Sequence, residues 1–219
     1  MAQPGVQGAP PSEIANERSG ALGPPRASEL GGVQGAPPSE HDTIHRGSFM
    51  PFRDLAGHRH LFELLAGAAA RGTLPPSLIF AGPEGVGKRA AAVALAQLLN
   101  CPERREAAGG TPDACGTCAT CKRIARGVHA DVKELTPGDT GSIKIEVVRE
   151  EIERAAHRPF EGRRRVIIID DAEALTVQAQ DALLKTLEEP TPASVFILVT
   201  AVPDMLIPTV RSRCQRIRF

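Results

Sequence analysis

Between residues 55 and 200 the apolar positions fall into two alternating kinds of stretch. Leu55, Leu61, Phe62, Leu64, Leu65 and Ala68 recur at the spacing of a helix that buries one face, and Gly72 with Pro75 and Pro76 ends it. Ser77–Ala81 (SLIFA), a short apolar run bounded by prolines and a glycine, predicts a buried strand. Lys88–Asn100, rich in Ala and Leu, predicts a second helix. From Asn100 to about Gly127 the pattern is lost among Cys, Gly and Thr, and Asp131–Leu135 offers only a weak strand. Ile145, Val148, Ile152 and Ala155 share one face of a helix that runs to His157 and stops before Pro159. Val166–Ile169 (VIII) has no polar alternation, as expected of a strand covered on both faces. Val177–Glu189 predicts a helix stopped by Pro190, and Val195–Thr200 (VFILVT) a further buried strand. Strands alternating with helices predict an α/β fold, a parallel sheet sandwiched between helices.

Residues 1–48 are different material. Eight Gly and seven Pro, with almost no periodic apolar positions, cannot supply a core, and GVQGAPPSE occurs twice, at Gly5–Glu13 and Gly32–Glu40. A disordered low-complexity tail is expected there, with one folded domain over 49–219. Lys+Arg and Asp+Glu both total 26, so no whole-chain basic field draws the protein onto nucleic acid. With no Trp, no Tyr and seven Phe, the stacking platforms of a single-strand binder are also missing. No apolar run approaches a membrane span and no signal peptide is visible, which makes the cytoplasm the expected compartment.

The chemistry begins directly after SLIFA. Gly82-Pro83-Glu84-Gly85-Val86-Gly87-Lys88 fits G-x4-G-K between a predicted strand and a predicted helix, a pattern that chance supplies only about 0.04 times in a chain of this composition. Glycines let the loop turn its amides inward around phosphate oxygens, Lys88 adds charge, and the helix N-terminus adds its dipole. The next position should carry the Ser or Thr that ligates Mg²⁺, and Arg89 stands there instead; a guanidinium has no lone pair for a metal. Phosphate binding can survive that change while the magnesium site loses its loop ligand. At the end of VIII, Asp170 has the place of a metal-orienting carboxylate, followed by the short Asp171 where a water-activating Glu would serve. Helix capping or a solvated charge pair is the competing reading of Asp170-Asp171.

Cys101, Cys115, Cys118 and Cys121 lie within 21 residues, a spacing that favours Zn²⁺ held by four sulfurs over a disulfide; free or redox thiols are the alternative. A closed four-thiolate site would staple an insertion over about 101–126 and perform no chemistry. Cys214 stands alone and reads as a small buried hydrophobe. The six His residues show no ligand or triad spacing and are expected at the surface. Arg163-Arg164-Arg165 and the arginines at 211, 213, 216 and 218 read as solvated charge, with phosphate contact the alternative for the first cluster.

GPEGVGKR, the four-cysteine insert after the loop helix, VIIIDDAEALTVQAQDALLKTLEEP and the Ser212-Arg213-Cys214 of PTVRSRC occur here in one order. In that order the chain resembles the bacterial clamp-loader subunits of the AAA+ class from about Pro51 to Phe219. Arg89 and Asp171 follow the delta-prime-like pattern rather than that of the ATP-hydrolysing gamma/tau type. The resemblance implies a P-loop AAA+ domain with a structural zinc insertion, and a role in placing a sliding clamp on primed DNA together with gamma/tau and delta subunits. It implies Gly82, Gly85, Gly87 and Lys88 as a degenerate ATP site, weak or non-hydrolysing, with Asp170 as its remnant metal carboxylate. Thr200 would lie near the γ-phosphate sensor, and Arg213 would act as an arginine finger in a neighbour's ATP site. Family members continue into a helical lid and a collar, so a chain ending at Phe219 is expected to lack both, and reads as truncated. An active gamma/tau-type ATPase and an unrelated P-loop kinase are the competing readings. A kinase would leave SRC and LLKTLEEP without a role.

Overall fold

The computed structural model describes residues 51–106 and 110–219. The expected tail, 1–48, with His41 and His45, lies outside the described residues. In chain order the elements are α1 (Arg59–Arg71), β1 (Ser77–Ala81), α2 (Lys88–Asn100), β2 (Arg105–Glu106), β3 (Pro112–Asp113), α3 (Ala119–Ala125), β4 (Val132–Leu135), α4 (Ile145–Ala156), β5 (Arg165–Ile169), α5 (Val177–Glu188), β6 (Ser194–Thr200), α6 (Pro208–Arg211) and β7 (Gln215–Arg218). Five strands form one parallel sheet in the order β4-β5-β6-β1-β7, while β2 and β3 pair antiparallel on their own.

Because successive strand residues point to opposite faces, the buried runs of β1, β5 and β6 supply two cores at once. Leu78, Phe80, Val166, Ile168, Val195 and Ile197 face α1 and α2, meeting Phe62, Leu65, Ala91 and Leu95. Ile79, Ile167, Ile169, Phe196 and Leu198 face α4 and α5, meeting Val148, Ala155, Ala179 and Leu183. Local signals set the ends: Gly72 closes α1 at φ +70°, and the Thr176 hydroxyl caps α5 by accepting the Ala179 N–H at 3.2 Å. The predicted parallel sheet between helices is therefore present, with element ends shifted by a residue or two. Helix α1 starts later than its apolar pattern, because Phe52–Asp54 forms a separate 3-10 turn and Leu55 belongs to the connection.

One expectation needs an addition and one a correction. Arg216 and Arg218 are exposed as expected, but they lie in the edge strand β7, Gln215–Arg218, whose backbone pairs with β1 from Leu78 to Ala81. His129 is not at the surface. It is 3% exposed, its Nδ1 accepts the Asp131 N–H at 3.1 Å, its Nε2 lies 3.5 Å from Glu161, and burial pulls its pKa down. The Arg163-Arg164-Arg165 run divides by role, since Arg165 is largely buried and pairs with Asp131 at 2.9 Å.

Asp131, at the foot of β4, organises that corner. Its carboxylate accepts the backbone N–H groups of Phe160, Glu161 and Gly162 at 2.7, 2.8 and 2.7 Å, besides the Arg165 guanidinium. Burial alone would raise its pKa, but these donors outweigh burial and hold it at about 2. A carboxylate depressed in the folded state stabilises above its unfolded pKa and loses that contribution as pH falls through the folded value. Asp131→Asn is expected to cost about 2 kcal/mol at neutral pH and to flatten the acid limb of stability between pH ~4 and ~2. Urea melts across pH check this; an unchanged acid limb would remove Asp131 from its cause.

Candidate functional site

The carboxyl ends of the parallel strands lie along one sheet edge, the usual place for a ligand in such a sheet. Register puts Ala81 beside Thr200 and Leu135 beside Ile169, so the glycine loop after β1, the carboxylates after β5 and the end of β6 converge there. Gly85 and Gly87 take φ +76° and +93°, conformations that side chains rarely adopt, and Gly87 caps the start of α2. At Gly82 the demand is space, because a Cβ would stand 2.8 Å from the Phe219 carbonyl oxygen. The Lys88 ammonium is drawn into the loop and donates to the carbonyls of Gly82 and Pro83 at 2.8 and 2.7 Å. Thr200 is buried beside the loop, its carbonyl accepting the Gly82 N–H at 3.4 Å and its hydroxyl accepting the Val202 N–H at 3.0 Å.

Arg89 occupies the first turn of α2 beside the strand-end carboxylates. Its Nε and Nη2 donate to the two oxygens of Glu134, the latter at 2.8 Å, and Nε lies 3.3 Å from Asp170. Glu134, near the end of β4, was not recognisable from sequence; it is a half-buried acid on a strand whose register brings it beside β5. Burial first, then the negative charges of Asp171 and Glu134, push the Asp170 pKa up to about 6 against the opposing pull of Arg89. Asp171 holds φ +50° and leads into a short turn over Ala172–Ala174, without a side-chain cap bond. Asp170 and Asp171 are thus not a side-chain capping pair; Asp171 is exposed, while Asp170 is half-buried beside Arg89. A nearby Glu173 accepts the Ala201 N–H at 3.1 Å and keeps its second oxygen buried without a hydrogen-bond partner.

Arg213 follows α6. Its Nε donates to Glu188 at 2.7 Å, Nη2 contacts the same carboxylate, and Nη1 donates to the Thr209 carbonyl at 2.8 Å. Both ends of the ion pair remain partly exposed, at 30% and 46%. Cys214 is buried and burial raises its thiol pKa to about 12, which fits a packing role.

The four insert cysteines come together, their sulfurs all within 4.8 Å of one another. Cys101–Cys118 and Cys115–Cys121 are each 4.0 Å apart, close to the ~3.8 Å edge of a tetrahedron with zinc–sulfur bonds of about 2.3 Å. N–H groups of Cys115, Cys118 and Cys121 point at the sulfurs of Cys101, Cys115 and Cys118 at 3.4, 3.3 and 3.4 Å. Burial opposes ionisation of Cys115, yet the amides of Cys118 and Thr117 overcome it and lower that thiol to about 6; burial raises Cys101 and Cys121. The donor set suits a soft divalent cation with no open position. Asp113 and Arg53 anchor it: Asp113 accepts the N–H groups of Phe52, Arg53 and Ala114, and Arg53 donates to the carbonyls of Ala114 and Cys115 at 2.6 and 2.9 Å. Nothing in the residue spacing pointed to this pair.

A family model described as DNA polymerase III, delta subunit, matches residues 57–219. The chain belongs to that family. Related clamp-loader proteins include the gamma/tau subunit of DNA polymerase III from Mycobacterium bovis, 35% identical over 170 residues, or 77% of this chain and 28% of that protein. The tau subunit of Bacillus subtilis is 34% identical over 77% of this chain and 29% of its own length, and that of Escherichia coli 35% identical over 74% and 24%. The chain thus spans about a quarter of the length of these curated relatives. A DNA polymerase III gamma subunit-related protein of solved structure from Thermotoga maritima shares the fold, with a TM-score of 0.52, 22% identity, and coverage of 71% of this chain and 45% of that one. Among the described residues no helix is long and apolar enough to cross a membrane.

Proposed function

We propose that this chain is a delta-prime-type subunit of the clamp loader, which contributes an arginine to a neighbour's ATP chemistry and hydrolyses little or no ATP itself. The observation that carries this reading is Arg89. Where a hydroxyl and a carboxylate would share a magnesium ion, a guanidinium is bonded to Glu134 and lies against Asp170. On this reading Gly82, Gly85, Gly87 and Lys88 bind nucleotide weakly, with Asp170 and Thr200 beside it. Arg213 acts in trans, and Cys101, Cys115, Cys118 and Cys121 hold a structural zinc ion. The partners are gamma/tau and delta subunits, the sliding clamp and, through the assembled complex, primed DNA, in the cytoplasm.

A gamma/tau-type ATPase is the second reading, favoured by the names of the relatives above and by the intact G-x4-G-K loop. ATP turnover in a reconstituted loader whose other subunits carry loop-lysine substitutions, so that only the site on this chain keeps its lysine and has a neighbour beside it, separates the two. Turnover is expected at or near the uncatalysed level, and Arg89→Thr alone is not expected to restore it, since Asp171 remains short of the reacting water. Steady turnover by the unsubstituted chain would replace the first reading with the second.

A further inference from the structure

The loop and its carboxylates do not fit a magnesium ion together. Magnesium in such a site needs a hydroxyl from the residue after the loop lysine and a carboxylate from the strand end. Here the first is Arg89, and its permanently charged guanidinium already engages both oxygens of Glu134 and lies 3.3 Å from Asp170. A dication entering would have to displace this cation from its carboxylates and then sit beside it without a loop ligand. The phosphate-binding half of the site has no such conflict. Gly85 and Gly87 hold their left-handed conformations, Lys88 is placed at the loop, and the N-terminus of the 13-residue helix α2 has no acid in its first turn.

We propose that this site takes a nucleoside di- or triphosphate without a divalent cation, with Arg89 standing permanently where the metal would be. This deepens the nucleotide-site reading given above and rests on it. The charge logic is specific. Free ATP or ADP brings its full negative charge to Lys88 and the loop amides, whereas the magnesium complex arrives with part of that charge neutralised and with a cation that has no ligand here.

Calorimetric titration of the whole chain with ATP and ADP, in magnesium-depleted buffer and then with millimolar MgCl₂, tests this. Depletion is done without chelator, so that a metal held by the thiolates stays in place. ATP is expected to bind the unsubstituted chain about tenfold or more weakly with magnesium than without it, because magnesium sequesters the free nucleotide, and Arg89→Thr is expected to bind about tenfold or more tightly with magnesium than without it. ATP binding by the unsubstituted chain that is unchanged by magnesium or tightens with it would overturn the proposal, as would no binding in either buffer. A folded Arg89→Thr variant whose ATP binding is weakened by magnesium as the parent's is would remove Arg89 as the cause; if that variant does not melt like the parent, the parent's own titration decides. A failure here leaves the trans role of Arg213 standing, because that role is read from a neighbour's turnover and not from nucleotide bound to this chain.

Discussion

Arg213→Ala is expected to lower ATP turnover at the adjoining gamma/tau site by about three orders of magnitude or more, because a trans guanidinium stabilises phosphoryl-transfer charge by 10³ to 10⁵ in rate. That is roughly 4–7 kcal/mol of transition-state stabilisation. The cis contact that holds Arg213 to Glu188 does not compete with it. The pair is 30% and 46% exposed, and surface pairs of that kind contribute about 0–1 kcal/mol, so release toward a phosphate costs little. Glu188→Ala should therefore stay within a few-fold of the parent. The cleanest readout is a reconstituted loader whose other ATP sites carry loop-lysine substitutions, so that only the junction next to this chain turns over. Arg213→Lys is expected to rescue poorly, since an ammonium lacks the planar fork that meets two phosphate oxygens.

The second large effect concerns the insert. Protein purified without chelator is expected to carry one zinc ion per chain, and Cys115→Ser to lose it. Four sulfurs converge in a buried pocket, and a metal that bound them there would add its binding free energy to the folding of the insert. A loss of several kcal/mol corresponds to a melting temperature lower by about 10 °C or more in a domain of this size. Arg53→Ala should show a smaller fall with zinc retained, because it removes the clamp on Ala114 and Cys115 without touching a sulfur. Elemental analysis and thermal melts decide it; protein that lacks zinc yet melts like the parent would end the structural-metal account.

The sequence carried the central architecture because SLIFA, VIII and VFILVT are strands covered on both faces, and doubly buried strands must be apolar throughout. The glycine loop was legible for a related reason, since its backbone conformations require glycine at fixed positions. β7 was hidden. Gln215-Arg216-Ile217-Arg218 lacks an apolar run because it lies at the sheet edge, and β1 recruits it through backbone groups that no side-chain pattern encodes. The β2–β3 ribbon of two residues per strand is too short to leave a period. Partners were the least legible part. Arg89 announced the loss of a magnesium ligand, but its bond to Glu134, 45 residues away, depends on strand register, as do Arg213 with Glu188 and Arg53 with Asp113. His129 was misplaced because burial beside Asp131 and Glu161 is a property of the folded corner, not of the residue's spacing.

On the reading proposed above, this chain serves a neighbour's ATP and not its own. Comparing Lys88→Ala with Arg213→Ala in the same loader, reconstituted with gamma/tau and delta subunits, tests it most directly through clamp-dependent ATP turnover and clamp loading. Arg213→Ala is predicted to be the more damaging by about tenfold or more, with Lys88→Ala within about threefold of the unsubstituted loader. If Lys88→Ala proved equally or more damaging, the chain would be an ATPase in its own right, and the gamma/tau reading would take its place.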